Sequence, residues 1–359
     1  MRAINRGTYF IGETSMKRRL FVLLLGAALA SIPFASSQAA ETPEEFYRGK
    51  NVKLTVGSAA GSGFTLYARV LGRHMPRYIP GAPTIVIENL PGASGLRHMD
   101  HLVTVAAKDG SVFGLLNPSV TTAPLMTPNA AKHTSEKLAW IGSANSEVST
   151  CHVYPHAGVE SANDLRSREL VFGGSGAAGS SGIGAELLRS MFGLKFRIVS
   201  GYQGSADIML AGPRGEIDGA CILLSSALKA QYWGGYKRGE FRVILQMPPG
   251  NHPDLPGVVN MMDLATTDEQ RQALEFVYGF WAYGRPFAAP AGIPAERLAA
   301  LRMALKATLE DQAFLAEATK VGLDVSYMPP DEIERRVNAI ERTPKAVVDK
   351  VLSLIPSMK

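Results

Sequence analysis

The stretch NVKLTVGSAAGSGFTLYAR, residues 51–69, decides the class of fold. Its first part, Asn51–Gly57, is a short apolar run of the kind that forms a buried β-strand. A glycine-rich turn follows, and the residue pattern predicts a helix from Phe64 to Met75. A strand, a glycine-rich turn and a helix in that order predict one βα unit of a parallel sheet.

The same unit recurs along the chain. In the first half, predicted strands at Thr84–Asn89 and Ser111–Leu116 flank a predicted helix at about 95–106. The alternation then starts again, with predicted strands at Thr150–Tyr154, Glu169–Gly173, Lys195–Ser200, Asp218–Leu223 and Arg242–Met247. Apolar runs of this length, separated by helices, favour an α/β fold with mainly parallel sheets over a β-sandwich.

One aromatic stretch, VYGFWAYGRPFA at Val277–Ala288, has a strand-like pattern within a C-terminal part that is otherwise helical. Because a strand needs partners, we expect this one to join the sheet of the first half. The chain then divides into a discontinuous first lobe, residues 41–148 plus 262–359, and an inserted second lobe, residues 149–261. The two crossings between the lobes form a hinge, and a ligand cleft lies between the lobes.

The N-terminus has the features of a secretory signal peptide in their usual order. Lys17, Arg18 and Arg19 form a positive cluster, and the apolar run Leu20–Ala30 and several small residues follow it. The apolar run is too short for a typical transmembrane helix, so an N-terminal membrane anchor is the less favoured alternative. The sequence therefore predicts export to the periplasm.

Removal of the signal changes the charge balance. We expect cleavage near Ala39 or Ala40, so that residues 1–40 form the signal, with Met16 as an alternative start. That segment holds five of the 37 Lys and Arg residues and one of the 32 Asp and Glu residues, which leaves 32 against 31. The basic excess of the full chain therefore gives no support to nucleic-acid binding.

The chain contains two cysteines, Cys151 and Cys221. Both fall in the predicted second lobe, near the ends of predicted strands. An oxidising compartment favours a disulfide bond between them, and a pair of buried free thiols is the alternative.

Three polar, glycine-rich turns follow predicted strands and precede predicted helices. They are GSAAGSGFT at Gly57–Thr65, NLPGASG at Asn89–Gly95 and GGSGAAGSS at Gly173–Ser181. Glycine lets the backbone approach a ligand closely, and the free N–H groups at a helix start attract anions. The three turns predict a site that holds an anion without a lysine or arginine.

Motifs for enzymes and cofactors are weak or missing in the sequence. Gly174, Gly176 and Gly179 match the dinucleotide fingerprint, but the next predicted strand ends at Ser200 and is followed by no acidic residue to bind the ribose. The turns lack the lysine of a phosphate-binding loop, and no GxSxG nucleophile motif occurs. The histidines lack the spacing of metal ligands. We therefore expect no catalytic residue, no cofactor and no metal.

At these turns the chain resembles the substrate-binding receptors of tripartite tricarboxylate transporters, often called Bug proteins. The segments that carry the resemblance are KLTVGSAAGSGFTLYAR (Lys53–Arg69), IVIENLPGASG (Ile85–Gly95), KDGSVFGLL (Lys108–Leu116), VFGGSGAAGSSGIGAELL (Val171–Leu188) and GYQGSADIMLAGPRGEIDGAC (Gly201–Cys221). The resemblance covers nearly the whole mature chain. It implies a type II periplasmic-binding fold, in which two α/β lobes joined by a hinge close on the ligand like a Venus flytrap.

The resemblance also implies a ligand and its contacts. It predicts a receptor, which we expect to be monomeric, that captures a small mono-, di- or tricarboxylate and delivers it to a small and a large membrane subunit. Loop backbone, hydroxyl groups and water would hold the ligand. The implied contacts are Ser62, Gly63, Phe64, Thr65, Ala93 and Ser94 in the first lobe, and Gly176, Ala177, Ser180, Ser181, Tyr202, Gly204 and Ser205 in the second.

Thr65 departs from the family pattern, in which the first loop commonly ends in Asp. A threonine brings no negative charge, so a plain carboxylate becomes a better ligand than an amino acid. Two other functions stay open from the sequence. One is a ligand-sensing module for a membrane receptor kinase, and the less favoured one is an exported enzyme on the same scaffold.

Overall fold

The computed structural model describes residues 41–129, 131–174, 180–202, 205–247 and 250–355, with the backbone alone at 180–182 and at Ile222. These residues form two β-sheets with helices packed against them. Within the same ranges, none of the helices combines the length and the apolar character that a membrane span requires.

The first sheet has the strand order β2-β1-β3-β11-β4. Its strands are β1 (Asn51–Val56), β2 (Thr84–Asn89), β3 (Val112–Leu115), β4 (Leu138–Ser143) and β11 (Pro286–Pro290). β1 pairs in parallel with β2 and with β3, as the βα pattern predicts. β11 runs antiparallel to β3 and β4, its two neighbours.

The second sheet has the strand order β10-β9-β5-β8-β6-β7. Its strands are β5 (Ser149–Val153), β6 (Leu170–Gly174), β7 (Phe196–Ser200), β8 (Gly219–Leu224), β9 (Arg242–Gln246) and β10 (Val259–Asn260). β5 is antiparallel to β8 and β9, and the other described pairs are parallel. Each sheet is therefore mixed. The antiparallel strand is the first one that the chain forms after it passes from one sheet to the other, which is β5 in the second sheet and β11 in the first.

Helices follow most of the strands. In chain order they are α1 (Pro43–Tyr47), α2 (Gly63–His74), α3 (Leu96–Thr104), α4 (Ala123–Met126), α5 (Ser180–Phe192), α6 (Ser205–Ala211), α7 (Ser225–Ala227), α8 (Trp233–Lys237), α9 (Met261–Leu264), α10 (Asp268–Tyr278), α11 (Ala295–Leu309), α12 (Gln312–Lys320), α13 (Pro330–Glu341) and α14 (Lys345–Leu354). A π-helical turn, Leu228–Tyr232, connects α7 to α8. The predicted α/β class with two lobes is confirmed.

The aromatic stretch Val277–Ala288 differs from its prediction in extent. Its first residues end α10, and a 3-10 helix, Gly279–Tyr283, comes next. The strand is the shorter segment Pro286–Pro290, which joins the first sheet as expected. The strand prediction was too long because the aromatic side chains at 280–283 are buried in succession, and a 3-10 turn can bury such a run as well as a strand can.

The first sheet has a tightly buried core. Leu54 of β1, Phe113 of β3 and Phe287 of β11 are fully buried, and they belong to one cluster with Leu305 of α11. Truncation of a side chain such as Leu54 to alanine typically costs about 2–5 kcal/mol. This core therefore fixes the strand ends from which the glycine-rich loops emerge.

A disulfide bond joins Cys151 of β5 to Cys221 of β8. The two residues lie directly opposite each other in the antiparallel pair, with their Cα atoms 3.9 Å apart. The bond therefore links the two central strands of the second sheet.

Candidate functional site

The first glycine-rich turn caps helix α2 with its own side chains. Oγ of Ser62 accepts a hydrogen bond from the backbone N–H of Thr65 at 3.2 Å, so Ser62 is the N-cap. Oγ of Ser58 lies 2.6 Å from Oγ of Ser62 and extends the hydroxyl chain. A capped helix start leaves its remaining first-turn N–H groups directed out of the helix. The first glycine-rich turn thus places the hydroxyl of Ser62 next to the backbone N–H groups at the start of α2.

Thr65 is turned into the protein and is 1% exposed. Its hydroxyl donates to the carbonyl of Ala59 at 3.0 Å and accepts from the side-chain amide of Asn89 at 2.7 Å. The same amide donates to the carbonyl of Ser58 at 2.8 Å. Thr65 and Asn89 therefore lock the first loop to the end of β2, and the hydroxyl proton of Thr65 is used inside the loop.

The second glycine-rich turn has an unusual backbone. Four successive residues, Gly92, Ala93, Ser94 and Gly95, have positive φ angles of 135°, 46°, 52° and 96°. Ala93 and Ser94 carry side chains in a region that favours glycine, which costs about 1–2 kcal/mol per residue. Such strain persists when the surroundings impose it, and it concentrates at functional loops. Ala93 and Ser94 are both exposed, at the carboxyl edge of the first sheet.

A cavity of about 230 Å³ adjoins this second turn. Ala93 lies on its wall beside Arg97 and Asp100 of α3. The carboxylate of Asp100 lies 3.0 Å from Nε2 of His133, which also lines the cavity. The cavity lies along the side of α3. Of the predicted ligand contacts, Ala93 lines it.

His98 lies beneath the loops, between α3 and the sheet. It is fully buried, and its Nε2 lies 2.8 Å from Oγ1 of Thr55. Because Thr55 donates its own proton to the carbonyl of Phe113, Nε2 of His98 carries the proton of the other hydrogen bond. Burial, with a smaller contribution from His101, lowers the pKa of His98 to about 3, so this histidine is neutral. His98 is therefore a buried, neutral residue packed between α3 and the sheet.

A buried ion pair joins the two crossings between the sheets. Nη2 of Arg285, just before β11, lies 2.6 Å from Oε1 of Glu147, which lies between β4 and β5. Their side chains are 2% and 0% exposed. The crossings also share backbone hydrogen bonds, from the N–H of Ala144 to Arg285 and from that of Glu147 to Trp281. These contacts form the junction between the two sheets.

The carboxylate of Glu147 is fully satisfied by donors. Besides Arg285, Asn145 donates to Oε1 at 3.0 Å, and Ser225 and Ser226 donate to Oε2 at 3.0 and 3.2 Å. Ser225 and Ser226 follow β8, so Glu147 ties the first crossing to the second sheet. Glu147 therefore gives the buried guanidinium group of Arg285 a carboxylate partner whose oxygen atoms both accept hydrogen bonds.

A second ion cluster spans the two sheets. Nζ of Lys229, in the π-helical turn, lies 2.8 Å from Asp254 and 2.6 Å from Asp324. Nε2 of His252 lies 3.4 Å from Oδ2 of Asp324. Burial opposes ionisation of Asp324, but His252 and Lys229 outweigh it and hold the pKa of this carboxyl below its usual value. Although His252, Asp254 and Asp324 have metal-ligand chemistry, Lys229 already supplies the cation.

The second-lobe predictions can be located only in part. Gly176, Ala177 and Gly204 lie outside the described residues, and Ser180 and Ser181 are described as backbone in the first turn of α5. Tyr202 is half-buried, and its ring packs near Gly173 of β6. Ser205 is exposed at the start of α6. Tyr202 therefore lies just after β7, and Ser205 lies at the first position of α6.

Sequence reasoning missed the residues that connect the loops to the junction. They are Asn145, Glu147, Ser226 and Arg285. One signal was present, since Arg285 is the single charged residue in an otherwise apolar aromatic stretch. A charge in such a stretch is buried only when it is paired, and its partner Glu147 is too far away in the sequence to be found by spacing.

The fold has close relatives among solved structures. The R. palustris protein Rpa4515 with adipate is 20% identical, and the alignment covers 86% of this chain and 97% of that one with a TM-score of 0.65. The periplasmic binding protein BugD is 20% identical, with coverage of 87% and 98% and a TM-score of 0.64. MatC from Rhodopseudomonas palustris with bound malate is 16% identical, with coverage of 86% and 99% and a TM-score of 0.58. At these identities the likeness establishes the fold.

The family follows from the sequence itself. No curated protein gives a significant sequence match. The family model described as "Tripartite tricarboxylate transporter family receptor" matches residues 68–352, well over half of the chain. The chain therefore belongs to the receptor family of the tripartite tricarboxylate transporters.

Proposed function

We propose that this receptor captures a small mono-, di- or tricarboxylate in the periplasm and delivers it to the small and large membrane subunits of a tripartite transporter. The ligand lies in a cleft between a first lobe, residues 41–148 plus 262–359, and a second lobe, residues 149–261. The receptor acts by binding, without chemistry on the ligand. Residues 1–40 are removed on export.

The observation that carries the proposal is the charge at the helix starts. Helices α2, α3 and α5 each follow a predicted ligand loop, and none has an acidic residue in its first turn. An acidic side chain there would occupy and neutralise the positive end of the helix. These three helix starts are therefore free to attract a carboxylate.

The junction between the two sheets contributes no net charge to the proposed ligand site. Glu147 compensates Arg285, so the attraction for an anion comes from the helix starts and hydroxyl groups. The membership of the sheets supports the division into lobes, because β1–β4 and β11 form one sheet and β5–β10 form the other.

Two structural neighbours support the class of ligand. One was solved with adipate and the other with malate, and both compounds are dicarboxylates without an amino group. Thr65 agrees with this preference, since it offers no carboxylate to an ammonium group and its hydroxyl proton is used by Ala59. We therefore propose a plain carboxylate, bound in preference to the matching amino acid.

Thermal unfolding of the mature protein, residues 41–359, tests this function. Acetate, malate, adipate, citrate and aspartate are compared, because a ligand at 100 times its dissociation constant stabilises by about 2.7 kcal/mol. Stabilisation by at least one carboxylate, with malate ahead of aspartate, is the expected result. A flat response to every carboxylate would refute the proposed ligand class.

A pair of serine variants tests the location of the site. Ser181→Ala should weaken binding of the best carboxylate by about 1–2 kcal/mol if its hydroxyl donates to the anion. Ser167→Ala is the matched control, because Ser167 is exposed and donates to the carbonyl of Asp164 outside the loops. Ser62→Ala is less informative, because it also removes the N-cap of α2. Equal affinity of Ser181→Ala and Ser167→Ala in calorimetry would argue against this assignment.

A further inference from the structure

One arginine side chain contacts both the first loop and the second sheet. Cζ of Arg285 lies 4.1 Å from the centre of the Phe64 ring and 4.9 Å from that of Tyr67, which is also in α2. Its Nη2 donates to Oγ of Ser226 at 3.0 Å. The same Nη2 makes the ion pair with Glu147. Nη1 also donates to the carbonyl of Gly284 at 2.9 Å, so three oxygen atoms fix the guanidinium group while it lies over the ring of Phe64.

Phe64 is the second residue of α2, so its position sets that of the N–H groups that open the helix. The loop before it contains Gly57, Gly61 and Gly63, and a glycine-rich backbone has many alternative conformations. The guanidinium group also lies next to the first residue of α2, because a Cβ atom at Gly63 would be 3.7 Å from Nη2 of Arg285. Arg285 is therefore a fixed point against which this loop can be ordered.

We propose that Arg285 is a positioning residue for ligand binding, which acts through Phe64 to hold the start of α2 in the arrangement that accepts the ligand. Glu147 needs a positive charge, and a lysine could also supply it. The arginine adds a broad planar group that covers an aromatic ring. The ligand measurement below rests on the proposed carboxylate function, whereas the exchange measurement does not.

The test compares Arg285→Lys with Arg297→Lys in the mature protein. Arg297 is the matched control because its Cζ lies 3.5 Å from the centre of the Phe46 ring, which is also an arginine–aromatic contact. Arg297 donates to the carbonyl of Asp109, before β3, at the edge of the sheet opposite the loops. The two variants therefore lose the same kind of contact at opposite ends of the first lobe.

Hydrogen exchange without ligand gives the first result. In Arg285→Lys the hydrogen-bonded amides of Ser62, Thr65 and Leu66 should exchange about tenfold faster, while those of residues 51–56 keep their wild-type rates. Phe64→Leu should show the same local change, and it decides the question if Arg285→Lys does not fold. Wild-type exchange rates at Ser62, Thr65 and Leu66, or an equal acceleration across the first sheet, would overturn the proposal.

The affinity for malate and adipate, measured by calorimetry, distinguishes a positioning role of Arg285 from a role in stability alone. Arg285→Lys and Phe64→Leu should each weaken the affinity about tenfold, and the double variant should lose little more, because both remove one contact. Native affinity in Arg285→Lys, or losses that multiply to about a hundredfold, would overturn the proposal. If the wild type binds neither compound, the proposed function is refuted for these ligands, and the exchange rates alone decide the role of Arg285.

Discussion

Nζ of Lys229 lies 2.6 Å from Oδ1 of Asp324, and this ion pair connects the π-helical turn after β8 to the segment after α12. Asp324 packs with the elements of the first sheet, because its backbone carbonyl accepts a hydrogen bond from the hydroxyl of Tyr67 in α2. The backbones meet closely here as well. A Cβ atom at Gly322 would lie 2.7 Å from Cα of Ala230. The two sheets are thus joined at a second place besides Glu147 and Arg285.

Replacement of Lys229 by methionine should destabilise the protein. It leaves Asp324, which is 19% exposed, without its cation, at an expected cost of about 1–3 kcal/mol. Urea unfolding measures the loss. The control is Arg214→Met, whose partner Glu216 is 3.7 Å away in an exposed pair, and whose loss should stay below about 1 kcal/mol. Equal stability of the two variants would contradict the expected role of Lys229.

Replacement of Glu147 by glutamine should be more costly, about 3–5 kcal/mol, because Arg285 is then a buried charge without a counter-charge. The double variant Glu147→Gln with Arg285→Met removes both charges and should recover much of the stability. Glu310→Gln is the control, since its exposed pair with Lys306 is 3.9 Å apart. A double variant less stable than Glu147→Gln alone would contradict this account of the junction.

Glycine at position 94 should stabilise the second loop. Ser94 has φ near 52°, and relief of that strain by about 1–2 kcal/mol exceeds the entropy that glycine adds to the unfolded chain. The expected gain is up to about 1 kcal/mol in thermal or urea unfolding. Gly95→Ala should do the opposite, because its Cβ would lie 2.8 Å from that of Asn117. A less stable Ser94→Gly would show that the serine side chain contributes more than its backbone costs.

Acid should destabilise the protein through its buried histidines. Burial lowers the pKa of His152 to about 4, and of His98 to about 3. In the unfolded chain the same histidines bind a proton near pH 6.5. The stability that comes from keeping them neutral in the folded protein is therefore complete above pH 6.5, and it is lost as the pH falls towards 3 to 4. Each histidine should remove up to about 2 kcal/mol between pH 7 and pH 5.

His152→Phe tests the pH dependence at one site. The ring lies between those of Tyr154 and Phe241, so phenylalanine suits the space. Urea unfolding at pH 7 and pH 5 should show a fall in stability that is about 2 kcal/mol smaller than in the wild type. Between pH 7 and pH 8 the difference between the two proteins should stay constant. The same acid-dependent fall in both proteins would exclude His152 as a source.

The local elements could be predicted from the sequence because their signals are local. The predicted strand Asn51–Gly57 and helix Phe64–Met75 differ from β1 and α2 by one residue at their ends. The direction of β5 and β11 could not be predicted, since it depends on which strands they meet after a crossing. The glycine-rich loops likewise led to the proposed ligand site, which stays a prediction, whereas the pair of Glu147 and Arg285 requires the fold to bring distant segments together.

The position of β11 also bears on the order in which the chain can fold. β11 lies between β3 and β4, and β4 has no other neighbour in the described sheet. The first sheet therefore cannot be completed until residues 286–290 have been made, although β1, β2 and β3 come early in the chain. The second sheet uses one continuous segment, residues 149–260, and needs no such delay. Because non-local pairing is slow, we expect the first sheet to form late in synthesis, which agrees with the proposed export of the chain before it folds.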